Sequence, residues 1–175
     1  GVIRPTTSGF ERIPSAQADT TEQTRWGEAL IIAPTDDPRP ALLRQGLAQR
    51  LPEDGADTEA LRTAEAEAQA DRRGVWVNPC CAVIAPEDTE RFTQRWRVVQ
   101  GRIVGVTPWR DVTYLNFGAD WKTDFTVILP ARLARTLSTE SWAGRTIEVR
   151  GWIHWRNGPA ITVNVPEQIR LIPSG

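Results

Sequence analysis

The spacing of apolar residues changes period partway along this chain. From Pro40 onward, Leu42, Leu43, Gly46, Leu47 and Leu51 fall on one helical face, and Pro52 to Gly55 ends the pattern. A second helix is predicted next. Asp57 or Thr58 can cap it, Glu59 suits its first turn, Arg72 and Arg73 sit at its negative end, and Gly74 stands as the C′ residue. Its Glu, Gln and Arg face reads as solvated. Val77 to Glu90, with Pro79 and Pro86, reads as a connection between two units.

Beyond that connection the period falls to two. Strands are predicted over Trp96 to Val106, Val112 to Phe117, Asp124 to Leu129, Thr146 to Trp155 and Ala160 to Val165, with a short helix over Pro130 to Leu137. Arg156-Asn157-Gly158-Pro159 predicts a hairpin turn, because Asn-Gly readily takes positive backbone angles. Three strands, a helix and a two-strand hairpin is the element order of an OB-fold, a small Greek-key barrel. Alternation places Ile147, Val149, Gly151, Ile153 and Trp155 of the fourth strand in the core, beside Leu115, Phe117, Phe125, Val127, Ile161 and Val163.

Ala41 to Trp76, ALLRQGLAQRLPEDGADTEALRTAEAEAQADRRGVW, resembles the C-terminal helices of the thermonuclease (staphylococcal-nuclease-like) family. The resemblance implies a preceding strand, here RWGEAL (Arg25 to Leu30), in which Glu28 occupies the position of a catalytic arginine. A carboxylate there repels a phosphodiester. The family's Arg-x-x-Gly-x-Asp-x-Pro-Glu signature, which implies a calcium ligand, an arginine and a general base, is not found. The match covers Thr20 to Trp76, and Gly1 to Asp19 retains one strand near Phe10 to Ile13. Gly1 as first residue and the lack of Met indicate a trimmed N-terminus, so calcium enters only if the missing catalytic strands exist outside this chain. Export fits if a signal peptide preceded Gly1, and the compartment stays open.

YLNFG (Tyr114 to Gly118), DWKTDFTV (Asp120 to Val127), VRGW (Val149 to Trp152) and the stretch from Arg156 to Ile169 resemble the OB-type domain that follows thermonuclease-like domains in some bacterial proteins. The expected class is α+β. An incomplete nuclease-like unit of short strands and two or three helices, residues 1–83, precedes a five-stranded OB-fold-like barrel, residues 84–175.

Composition changes this picture little. The chain is 40% hydrophobic and 25% charged, ordinary for a soluble globular protein, and no apolar run approaches the roughly 20 residues that span a bilayer. Cys80 and Cys81 read as two ordinary thiols, since adjacent cysteines make neither a CxxC metal motif nor a disulfide framework. Charge is uneven: residues 1–83 hold 9 Arg against 13 Asp+Glu, whereas 84–175 hold 12 Arg+Lys against 9 Asp+Glu. The second half can attract a polyanion locally.

The chain's eight tryptophans, six of them in residues 84–175, sharpen that expectation. Glu148, Arg150, Trp152, His154 and Arg156 share the outward face of the fourth strand, combining π-faces for bases with guanidinium groups for phosphates. The loops that usually meet ligand in an OB-fold hold Trp109 and Arg110, and Arg156 to Pro159. Tyr114 and Asn116 extend the surface, with Trp121 and Lys122 at its end. Alternatively, Trp152 and Trp121 pack against the helices or cover the barrel's open end. His154 is the single histidine, so no His-based metal cluster can form, and Asp111, Asp120 and Asp124 read as structural loop residues rather than a calcium site. No catalytic residue and no metal ligand is assigned. Three functions follow: a weak single-stranded nucleic-acid binder with a defective nuclease-like unit, a calcium-dependent phosphodiesterase whose catalytic strands lie elsewhere, or a module whose Trp-rich face meets a protein partner or a second copy.

Overall fold

The structure, a computed structural model, describes residues 2–6, 9–13, 37–52, 58–79, 81–120 and 122–173. Glu28 and its strand, Cys80 and Trp121 lie outside the described residues. The chain divides into two compact units, Gly1–Cys81 and Ala82–Gly175, against an expected boundary between residues 83 and 84.

In the first unit β1 (Val2–Thr6), β2 (Gly9–Ile13) and β3 (Gln49–Arg50) form an antiparallel sheet in the order β2-β1-β3. Helix α1 spans only Arg39–Arg44, not the expected run to Leu51. Gly46 turns the chain with φ +70°, and Gln49 and Arg50 then pair with Ile3 and Val2, so a sheet contact overrides the helical period. Helix α2, Glu59–Ala70, is capped by Thr58, whose Oγ1 accepts from the Leu61 amide at 3.4 Å. After its C-cap Asp71, Arg72 takes the left-handed conformation expected at Gly74, and Gly74, also at positive φ, opens a 3-10 turn instead.

Val2, Leu43, Ala48, Leu61 and Ala64 form this unit's core. Arg50 ties β3 to α2: its amide and its Nε donate to the two carboxylate oxygens of buried Glu65, each at 2.7 Å. Cys81 is disulfide-bonded, which corrects the expectation of ordinary thiols.

The second unit begins inside the expected connection. Ile84 bridges Val99 in parallel, and the 3-10 turn Pro86–Phe92 follows with Thr89 buried, so this half of Val77 to Glu90 is part of the barrel unit. The first predicted strand is observed as two halves, β4 (Trp96–Arg102) and β5 (Gly105–Trp109), bent at Ile103 and Val104. Then come β6 (Val112–Asn116), β7 (Thr126–Pro130), helix α3 (Ala131–Thr136), β8 (Thr146–Trp155), β9 (Pro159–Thr162) and β10 (Ile169–Leu171).

Strand β5 pairs with β6, β6 with β7, β7 in parallel with β9, β9 with β8, and β8 with β4. Since β4 and β5 are one bent strand, the circuit closes into an OB-like barrel. A step from Gly105 through Asn116, Thr126, Ala160 and His154, carried on by the β8–β4 register, returns opposite residue 94. That offset along the starting strand is the stagger that a closed barrel requires.

Val99, Leu115, Phe125, Val127, Ile147, Val149, Ile153, Ile161 and Val163 are buried inside, and partly buried Phe117 packs against them. Trp155 departs from the expected core position. At the end of β8 it opposes Pro159 beside the turn, past the last core layer, and is 56% exposed. The turn is as predicted: Asn157 and Gly158 both have positive φ, and the Arg156 amide donates to the Gly158 carbonyl at 2.8 Å. Among the described residues no helix is long and apolar enough to cross a membrane.

Candidate nucleic-acid interface

The β5–β6 hairpin presents the most compact part of the expected surface. Trp109 opposes Val112 across a turn in which Arg110 takes φ +51°. The turn sets the Arg110 guanidinium 5.7 Å from the centre of the Trp109 ring, within cation–π range, while the ring stays 59% exposed. Tyr114 and Asn116 follow on the outward face of β6, half-buried, because the alternate residues Thr113 and Leu115 fill the interior. Asn116 Nδ2 donates to Thr107 Oγ1 at 3.2 Å across the hairpin.

On the neighbouring strands that side is covered. Ile128 opposes Tyr114 and Thr126 opposes Asn116 on β7, and both are buried, as is Ala160 of β9. Beyond them lie Ala160 and Thr162 of β9, and then His154 of β8, whose Nε2 lies 3.4 Å from Thr162 Oγ1.

Lys122 and Arg156 occupy two exposed loops at the Asn116 end. A side chain on Gly158 would reach Asp124 and Thr123 backbone atoms at 3.0 Å, so the two loops touch. Asp120 and Asp124 organise this corner. The Asp120 amide donates to Asp124 Oδ2 at 2.7 Å, and the Lys122 amide donates to Asp120 Oδ1 at 3.0 Å. One carboxylate oxygen of each is engaged in closing the loop. The calcium implied by the thermonuclease resemblance finds no set of three or more His, Cys, Asp or Glu groups among the described residues. No step is therefore assigned to it.

The expected site is thus divided. Trp109 and Arg110 lie at one end of the hairpin, Asn116, Lys122 and Arg156 at the other, and Tyr114 between them.

Arg150 does not belong to this surface. It is 2% exposed and its Nη2 donates to Glu148 Oε1 at 2.6 Å, while Arg170 from β10 donates to both carboxylate oxygens, by Nε to Oε1 at 3.2 Å and by Nη2 to Oε2 at 2.9 Å. Burial by itself would raise the Glu148 pKa. The charges and hydrogen bonds of Arg150 and Arg170 outweigh it and hold the group at about 2. The expected basic face of β8 is in this part a buried ion-pair triad, because β10 brings Arg170 into register with Glu148.

Trp152, opposite buried Trp96, stays 55% exposed on that face, with its neighbouring cation Arg150 committed to Glu148. Local pattern did not single out Arg97. It shares the alternation of Val99, lies buried beneath the Phe92 ring at 4.3 Å, and donates to the Trp96 carbonyl, with no partner for its Nε among the described residues. Burial, then the nearby charge of Arg95, lowers its pKa below the usual arginine value.

Neither a protein-family model nor a curated protein sequence matches this chain. Solved structures similar to it include the S. pombe Stn1–Ten1 complex, at 13% identity and TM-score 0.36, covering 45% of this chain and 59% of that one. A putative aspartyl-tRNA synthetase from Leishmania major Friedlin is 6% identical with TM-score 0.40, covering 54% of this chain and 21% of that one. OBody AM1L10 bound to hen egg-white lysozyme is 17% identical with TM-score 0.38, covering 50% of this chain and 89% of that one. The chain accordingly spans less than two thirds of the length of the first two. Assignment of the barrel rests on its strand order.

Proposed function

We propose that the barrel unit binds single-stranded nucleic acid weakly, along the outward face from Trp109 through Tyr114 to Asn116, Lys122 and Arg156. The observation that carries this is the turn at Trp109: an indole exposed to solvent with an arginine held over its ring, so that one turn supplies a stacking face for a base and a charge for the adjacent phosphate. Tyr114 offers a second ring on the same face, and the excess of 12 Arg+Lys over 9 Asp+Glu in residues 84–175 favours a polyanion modestly. Such binding is sequence-tolerant, since every base has a π-face.

In this proposal the first unit, whose Ala41 to Trp76 stretch resembles part of a thermonuclease-like domain, does no chemistry. The decisive measurement is fluorescence anisotropy of labelled single-stranded DNA and RNA at low ionic strength. Saturable binding that falls with salt supports the function, and none at high micromolar protein refutes it.

A second reading, a protein-interaction surface around Trp152, draws on a different observation. Its ring is more than half exposed, and the arginine beside it is committed to Glu148, leaving an apolar surface there. Persistence of nucleic-acid binding in Trp152→Ala, with loss in Trp109→Ala, separates the two.

A further inference from the structure

Beside the bend between β4 and β5 lies an open groove of about 650 Å³, lined by Pro86, Glu87, Gln100, Arg102, Val104 and Phe117. Gly101 shapes it: a Cβ there would overlap the Pro86 ring and approach Phe117 Cδ1 at 3.1 Å, so only glycine lets these walls come together. Val104 holds an apolar side chain 60% exposed at the rim. Arg102 is also exposed, and its Nε donates to the Gly144 carbonyl at 2.9 Å, which anchors the guanidinium at the groove's edge.

The groove opens where the hairpin face ends, since the Val104 amide donates to the Asn116 carbonyl at 2.8 Å and Gly105 is paired with Asn116. We propose that it seats a nucleobase of the strand bound along the hairpin, with the flanking phosphate on Arg102; this rests on the single-stranded nucleic-acid reading above. Pro86, Val104 and Phe117 supply apolar contact for the base. The Gln100 amide and the Glu87 carboxylate offer hydrogen-bonding groups to its edge. Glu87 repels a phosphate, so the backbone must enter from the Arg102 side. Trp109 and Gly105 are four residues apart, about 14 Å at strand rise, so a base in the groove and a base on Trp109 belong to nucleotides that are not adjacent.

The test uses the full chain and octamers carrying 2-aminopurine at one terminus or the other. Val104→Glu and Arg102→Gln change exposed positions, and near-ultraviolet circular dichroism verifies their folding. One of the two labelled ends should change its fluorescence on binding and lose that change in Val104→Glu, while Arg102→Gln weakens octamer affinity about tenfold. If octamers bind but both variants match the wild type at both ends, the groove proposal falls and the nucleic-acid reading stands. If no octamer binds, that reading falls, and deoxyadenosine monophosphate at millimolar concentration judges the groove alone. Shifts of the Val104 methyl and Phe117 ring resonances then support it, and their absence overturns it.

Discussion

Gly46 and Gly74 meet backbone to backbone: a Cβ on Gly74 would overlap the Gly46 carbonyl, a Cβ on Gly46 would overlap that of Arg73, and the Val75 amide donates to the Gly46 oxygen at 2.8 Å. Both residues have positive φ. The end of α1 and the turn after α2 are therefore joined by main-chain contact that no side chain could replace. Gly46→Ala and Gly74→Ala should each destabilise the first unit by on the order of 2–4 kcal/mol, from the clash and the strained φ together. Urea denaturation followed by circular dichroism measures this, and losses below about 0.5 kcal/mol, the usual range for surface changes, would contradict it.

The Glu148 triad predicts acid sensitivity. Its pKa is lowered from the usual 4.5 to about 2, so the stabilisation is fully present above pH 4.5 and is lost as pH falls from there through 2. The shift corresponds to about 3 kcal/mol. Denaturation midpoints across this window should fall more steeply for the wild type than for Glu148→Gln.

Arg150→Ala should act through folding, at a cost on the order of 3 kcal/mol, because it removes a buried partner of Glu148. In the fraction that remains folded, oligonucleotide affinity and its salt dependence should match the wild type.

Ile153 is fully buried in the barrel, and Ile153→Ala should cost about 2–5 kcal/mol through lost burial and a residual cavity. A calorimetric scan showing the barrel's transition unchanged would argue against this packing.

Trp109→Ala should weaken single-stranded DNA binding by about 1–3 kcal/mol, alike for purine and pyrimidine strands. Arg110→Ala and Arg156→Ala should each reduce the slope of log affinity against log salt by about 1, since each removes one phosphate contact. Titrations at several salt concentrations separate stacking from charge.

Under the proposed function no cleavage of single-stranded DNA or RNA is expected with calcium present, and Glu28→Arg should not create it, because one arginine cannot by itself supply a general base and metal ligands. Calcium-dependent cleavage that is lost on substituting residues of this chain would refute the expectation.

The sequence by itself determined five strands of the barrel, most of its core and its hairpin turn, but neither β10 nor the exposed position of Trp155. Period-two alternation records which side of a strand is buried, and Asn157-Gly158 records a backbone conformation; both are local properties written residue by residue. The same alternation put Tyr114 and Asn116 on the outward side of their strand, whereas Trp109 and Arg110 were singled out by their place in a loop between strands. Only the tertiary structure decided what lay across from each residue. Arg150 alternates outward as expected, yet β10 brings Arg170 into register with Glu148, and a nearby opposite charge turns a candidate phosphate contact into a buried ion pair. Pairing of Gln49 and Arg50 with Ile3 and Val2, residues far away in sequence, likewise ended α1 earlier than its leucine spacing implied. Register between distant segments has no local signature, so alternation can place a side chain on a face without revealing what else occupies that face.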